Sequence, residues 1–320
     1  MDLEQLIKEF LEYLEIERNV SQLTIRNYRH YLGRFVHFLA NGGVPSPANP
    51  PSVKSSPVKI TDITSESIRK YRLYLSRYAD EKGMSLKRVT QNYHLIALRS
   101  FLKYMAKRDI VTVSPDKIDL PKAESRSIKF LEHNDVERLL NMPDMNTKEG
   151  ARDKAILEVL FSTGLRVSEL VSLNRDQINL DRREFSVIGK GRRSRIVFLS
   201  ERSVEWLRKY LATREDDMRP IFIRYSGKTP DEHDTTGESI RLTARSVQRG
   251  VEKYAKKAKL MVKITPHGLR HTFATDLLGN GADLRAIQEL LGHKNVSTTQ
   301  IYTHITNPQL KDIHDKFHSK

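Results

Sequence analysis

The chain has 320 residues, more than one hydrophobic core usually spans, so two domains are expected. Its 55 Lys and Arg outnumber 40 Asp and Glu, for a formal charge of +15, and such an excess favours a polyanion because each neutralised phosphate releases condensed counterions. With zero cysteines there is no disulfide, thiolate metal site or cysteine nucleophile; no run of about 20 apolar residues suggests a membrane span, and the acidic start MDLEQLIKEF does not resemble a signal peptide.

Leu3, Leu6, Ile7, Phe10, Leu11 and Leu14 repeat at the spacing of an amphipathic helix, and a second helix is expected from Leu23 to Leu39. The proline-rich stretch GGVPSPANPPSVKSSP that follows is expected to be an exposed flexible loop, over about residues 42–60. Third and fourth helices are predicted at Ser65 to Asp80 and Leu86 to Lys107. The fourth carries two apolar stripes, Val89/Tyr93/Ile96/Ala97/Phe101/Tyr104 and Leu95/Leu98/Leu102/Met105, which suits the central helix of a small bundle. Cations thread these helices, among them Arg26, Arg88 and Arg99; each fits a solvated face, and together they fit a surface that tracks DNA. Residues 1–108 thus read as a helical clamp, 109–127 as a linker without helical period, and 128–320 as a second domain.

In the second half, helices are expected at Asn134 to Asn141 and Ala151 to Ser162, the latter stopped by Gly164, with Leu165 to Leu170 starting another at once. Arg166 and Glu169 share a face of that helix, an ordinary ion pair or a guanidinium held ready for an anion. Gln177 to Leu199 switches to β-formers around GKGRRS, a hairpin whose tip holds Lys190, Arg192, Arg193 and Arg195. The GKGRRS spacing lacks GxxxxGK[ST] and precedes a strand, which excludes a P-loop. A helix at Ser203 to Thr213, a short strand at Ile221 to Ile223, a polar loop at Tyr225 to Ile240 and a helix from Thr243 to Lys259 bearing Arg245 follow. Thr265 and Pro266 open a helix by cap and first-position logic, bringing His267, Arg270 and His271 to one face. His267 and His271 have the i, i+4 spacing of a zinc pair, but Gly268 stands where a metalloprotease needs its glutamate and no third ligand is evident, so no metal is expected. Asp283 to Leu291 is a short helix ended by Gly292, just before His293; Ser297 or Thr298 starts another, bearing Tyr302.

GLRVSEL, IGKGRRSR, TPHGLRHTFAT, LLGH and IYTH, in this order and spacing, resemble the catalytic signature of tyrosine site-specific recombinases of the phage integrase family, nearest the Xer type. The resemblance spans the chain and implies a mainly α fold with a small β-hairpin or sheet: an N-terminal helical core-binding bundle, then an α+β catalytic domain with a tail helix at 307–317. It implies that Arg166 and Arg270 bind the scissile phosphate, Lys190 is the general acid, His267 the general acid/base, His293 hydrogen-bonds the phosphate, Glu169 supports Arg166 and Tyr302 is the nucleophile. Arg193 stands where the family often has lysine. The implied activity is cutting and rejoining double-stranded DNA at a recombination site through a 3′-phosphotyrosyl bond, without metal, ATP or other cofactor. A homotetramer on two sites passing through a Holliday junction is expected, with a second recombinase and a DNA translocase as candidate partners, in the cytoplasm with the nucleoid. Dimer resolution of chromosomes or plasmids is the first expectation; a mobile-element integrase, a type IB topoisomerase-like enzyme and a non-catalytic DNA-binding protein are the alternatives.

Overall fold

In the computed structural model, which describes residues 1–42, 57–79, 83–120, 130–189, 194–227 and 233–292, the chain divides into two compact units, Met1–Ser125 and Arg126–Lys320.

Among the described residues, four α-helices build the first unit: α1 (Leu3–Ile16), α2 (Gln22–Ala40), α3 (Ser65–Arg77) and α4 (Arg88–Lys107). Asp2, Ser21 and Thr64 cap the first three through side-chain oxygens that accept from backbone amides, satisfying donors the first turn leaves unpaired. All six apolar positions of the α1 stripe are buried. α4 packs against the other three, burying Leu95, Ala97, Leu98, Phe101, Leu102 and Met105. Only one of its two expected stripes is fully covered, because Tyr93 and Ile96 remain exposed on the opposite side. His94 is buried too; its Nδ1 lies 3.0 Å from the Tyr71 hydroxyl, and burial, aided by the charge of Arg34, pushes its pKa down to about 4. The stretch after α4 is more than a linker: Ile118 is buried in this core, and Ile110, Val113 and Leu120 pack against it.

The second unit surrounds α6 (Lys148–Thr163), which contacts α5 (His133–Leu140), α8 (Glu201–Ala212), α9 (Ala244–Lys257) and α10 (Pro266–Gly279). Lys154 of α6 is buried, its ammonium donating to the Leu140 carbonyl at 2.8 Å and pairing with Glu158 at 2.8 Å. α7 (Val167–Val171) follows α6 directly, and α11 (Leu284–Leu291) follows α10. The expected hairpin is β2 (Glu184–Ile188) with β3 (Ser194–Phe198), antiparallel with Phe185 opposite Val197. A short β1 (Ile178–Asn179) pairs on the far side of β2, making three strands in the order β1-β2-β3. The inward face carries Phe185, Val187 and Val197, while Ile188, Ile196 and Phe198 are exposed. Ile221 to Ile223 do not form the expected strand: all three are buried, but their β-pairing is limited to isolated bridges, Asn174 with Pro220 and Ile223 with Arg241, and side chains such as Arg152 and Arg214 take up the Ile223 and Ile221 carbonyls. No helix among the described residues is long and apolar enough to cross a membrane.

Candidate active site

Two sequence-distant turns of the second unit, with helix α9 (Ala244–Lys257), assemble one cleft. α6 ends on Gly164 in the left-handed region, with φ 59°. A Cβ there would lie 2.5 Å from Phe273 Cδ1, so both the backbone and the space require glycine. The sharp turn allows α7 to begin at once, with Arg166 as its cap residue. Glu169, three residues on, accepts the Arg166 amide at Oε2 (2.9 Å) and the Arg166 Nη1 at Oε1 (2.8 Å), so local helix geometry fixes the pair.

The second turn is the start of α10. Thr265 Oγ1 accepts the Gly268 amide at 3.2 Å, with Pro266 in the first turn. His267 and Arg270 then lie one turn apart on the face that meets Arg166. They line a cleft of about 360 Å³ with Leu165, Arg166, Gln248 and Glu252. Arg270 is buried, donating from Nη1 to the Gly164 carbonyl (2.6 Å) and from Nη2 to the Leu291 carbonyl (2.5 Å). α10 is thereby tied to the turn before Arg166 and to the last residue of α11.

Glu169 is almost fully covered. Burial works against its charge, but hydrogen bonds from Arg195, the Arg166 amide and the Arg166 side chain, with the charge of Arg195, outweigh it and hold the carboxyl at about 2. The His267 ring reaches solvent, yet partial desolvation, then the charges of Arg270 and Arg166, hold its pKa below the usual 6.5. At neutral pH it is a neutral imidazole able to accept a proton. His271 sits 4.4 Å from it, ring centre to ring centre, and burial, then His267 and Arg270, push its pKa down to about 4. Among the described residues no group of three His, Cys, Asp or Glu is arranged to hold a metal ion. The cleft thus joins two guanidiniums and a neutral imidazole, a set that suits a phosphodiester.

Arg166, Glu169, His267 and Arg270 come together here, whereas Lys190, Arg192, Arg193, His293 and Tyr302 lie outside the described residues. In the first unit Arg26 of α2 and Arg88 of α4 are exposed, and Arg99 donates to Asp116 at 3.0 Å. Arg245 is exposed on α9. Sequence reasoning missed Gln248 and Glu252, which their one-turn spacing on α9 places on a common face. It also took Arg195 for a cation of the hairpin tip.

The phage integrase family profile matches residues 129–308, and the phage integrase N-terminal SAM-like domain matches residues 7–50. Tyrosine recombinase XerD of Listeria monocytogenes serotype 4b is 36% identical over 324 residues, 98% of this chain and 99% of that protein. Tyrosine recombinase XerC of Bacillus subtilis is 35% identical over 318 residues, 98% of this chain and 96% of that protein. Among solved structures, XerH site-specific recombinase bound to palindromic difH substrate superposes with a TM-score of 0.67 at 22% identity, covering 98% of this chain and 85% of that one. The Tn1549 transposon integrase in complex with transposon right end DNA gives 0.70 at 19% identity, covering 100% of both chains. These low-identity structures establish the fold. The chain belongs to the phage integrase family of tyrosine recombinases, enzymes that cut and rejoin DNA.

Proposed function

We propose that this chain carries out Xer-type site-specific recombination on chromosomal or plasmid DNA in the cytoplasm, with Tyr302 as its nucleophile. What supports this reading is the convergence of Arg166, His267 and Arg270 on one cleft, with Glu169 backing the first of them.

The chemistry assigned to those groups balances without metal or ATP. The Tyr302 oxygen bonds to the scissile phosphorus as the bond from phosphorus to the 5′ oxygen breaks. A phenol with a pKa near 10 is a weak nucleophile at neutral pH, so His267, neutral there, takes its proton. Lys190 gives a proton to the departing 5′ oxygen. Arg166, Arg270 and His293 bind the non-bridging oxygens as charge builds on them, and loss of one such donor typically costs about 3–4 kcal/mol of transition-state stabilisation. The 3′-phosphotyrosyl bond conserves the phosphodiester energy, so a 5′ hydroxyl from the partner duplex can reverse the step. Four copies on two sites, exchanging strands in pairs through a Holliday junction, complete the reaction. A second recombinase in the tetramer and an activating DNA translocase remain parts of this proposal, as does docking of 307–317 on a neighbouring copy and DNA tracking by Arg26, Arg88, Arg99, Arg192, Arg193 and Arg245.

The test begins with the protein choosing its own duplex from a random-sequence pool. A nick placed beside the scissile position lets the 5′-hydroxyl fragment diffuse away, trapping covalent protein. Wild-type protein should accumulate this adduct in EDTA; Tyr302→Phe should bind the duplex equally but form none. Adduct formation by the Phe variant contradicts the assignment.

A further inference from the structure

We propose that Arg195 is a positioning residue of the cleft: it anchors Glu169 so that Arg166 stays available to phosphate, and it ties β3 to the end of α11. The part concerning phosphate rests on the function proposed above.

Alternation along β3 sends Arg195 inward with Val197, opposite the buried Val187. Its side chain is 10% exposed, and that of Glu169 is 6%. A guanidinium so placed is costly unless its donors are used. Nη1 and Nη2 grip the two Glu169 oxygens at 3.1 and 2.7 Å, a bidentate fork, and Nε donates to the Leu290 carbonyl at 3.1 Å.

The division of labour at Glu169 follows from these contacts. Arg166 gives it one side-chain donor, Nη1, and its side chain is 34% exposed. Among the described residues the Arg166 Nε and Nη2 make no hydrogen bond, which leaves them for an anion in the cleft. Glu169 would otherwise draw in Arg166 with a second bond, since a carboxylate favours a bidentate guanidinium. Arg195 occupies that role instead.

The same side chain reaches the end of α11. Arg195 and Arg270 hold successive carbonyls, Leu290 and Leu291, at the end of α11. Gly292 caps that helix with φ 64°, and a Cβ there would lie 3.0 Å from Arg195 Cδ. The glycine of LLGH therefore serves the helix cap and the seat of Arg195 together.

The experiment compares full-length wild type, R195K, R195A, R166A and R166A/R195A on the nicked duplex selected by the wild type. Lysine keeps the charge but cannot fork onto the carboxylate while reaching Leu290, so R195K tests positioning in a folded protein. R195K should keep duplex affinity within about threefold and lose about 30- to 100-fold in single-turnover cleavage. If Arg195 acts through Arg166, its removal from R166A should cost less than about threefold more. A full multiplicative loss in the double variant, or wild-type cleavage by R195K, overturns the proposal. Independently of DNA cleavage, ¹³C NMR of the Glu169 carboxyl should show it titrating at higher pH in R195K than in the wild type, because the largest lowering contact is weakened. An unmoved midpoint refutes the anchoring contact. A wild type that forms no adduct refutes the recombinase reading alone, and the carboxyl titration still judges Arg195.

Discussion

The Arg270 guanidinium is hydrogen-bonded at 2.6 Å to the carbonyl of Gly164, two residues before Arg166. One arginine of the cleft thus fixes the backbone that presents the other. Arg270→Lys cannot serve both Gly164 and Leu291 with planar donors, so at least one buried carbonyl loses its partner. Urea unfolding should show a loss of about 1–3 kcal/mol, and cleavage should fall about 100- to 1,000-fold. Normal stability together with normal cleavage would contradict the bridging role.

Gly164 itself makes a second prediction. Gly164→Ala places a Cβ 2.5 Å from Phe273 and forces alanine to φ 59°. The expected cost is about 1–3 kcal/mol in chemical denaturation, with cleavage reduced beyond what the lost stability explains, because the turn carrying Arg166 must shift. A variant as stable and active as wild type would show that the turn tolerates a side chain.

The pH profile of cleavage should carry the signature of His267. In the proposed mechanism its neutral form is the base, and partial burial with the charges of Arg270 and Arg166 lowers its pKa. The rate should therefore hold as pH falls through 6.5, the ordinary imidazole value, and drop only at lower pH. Arg166→Ala removes one repelling charge, so the inflection should move up toward 6.5 even as the rate declines. An inflection above 6.5 in the wild type would contradict this electrostatic arrangement.

Away from the cleft, Lys154 donates to the Leu140 carbonyl and forms an ion pair with Glu158 inside the second unit. Lys154→Met should cost about 1–3 kcal/mol, since the buried Leu140 carbonyl loses its donor and Glu158 keeps only Arg202 of its two cationic partners. Urea denaturation measures it directly; a loss under about 1 kcal/mol would mean that Arg202, 2.9 Å from Glu158, suffices alone.

Helix positions were legible because their signals are local. Thr265-Pro266 announced α10, and the three-residue spacing of His267 and Arg270 foretold their shared face. The Ile221 to Ile223 segment was misread because a run of β-formers reports burial as readily as strand pairing, and here only isolated bridges form. β3 was harder. Its apolar Ile196 and Phe198 suggest an inward face, yet they are exposed and Arg195 turns inward with Val197. The register against Phe185 and Val187 decides that choice, and no single-strand pattern contains the register. Arg270 was assigned to phosphate from its motif, while its two carbonyl partners, Gly164 and Leu291, come from remote turns that only the fold brings near.

The central claim is that Tyr302 attacks the scissile phosphate. Mass spectrometry of the protease-digested covalent adduct locates the nucleotide directly. The predicted result is a single modified peptide whose fragments place a 3′-linked nucleotide phosphate on Tyr302. A nucleotide on any other residue, or adduct mass without attachment at the 3′ phosphate, would contradict the account.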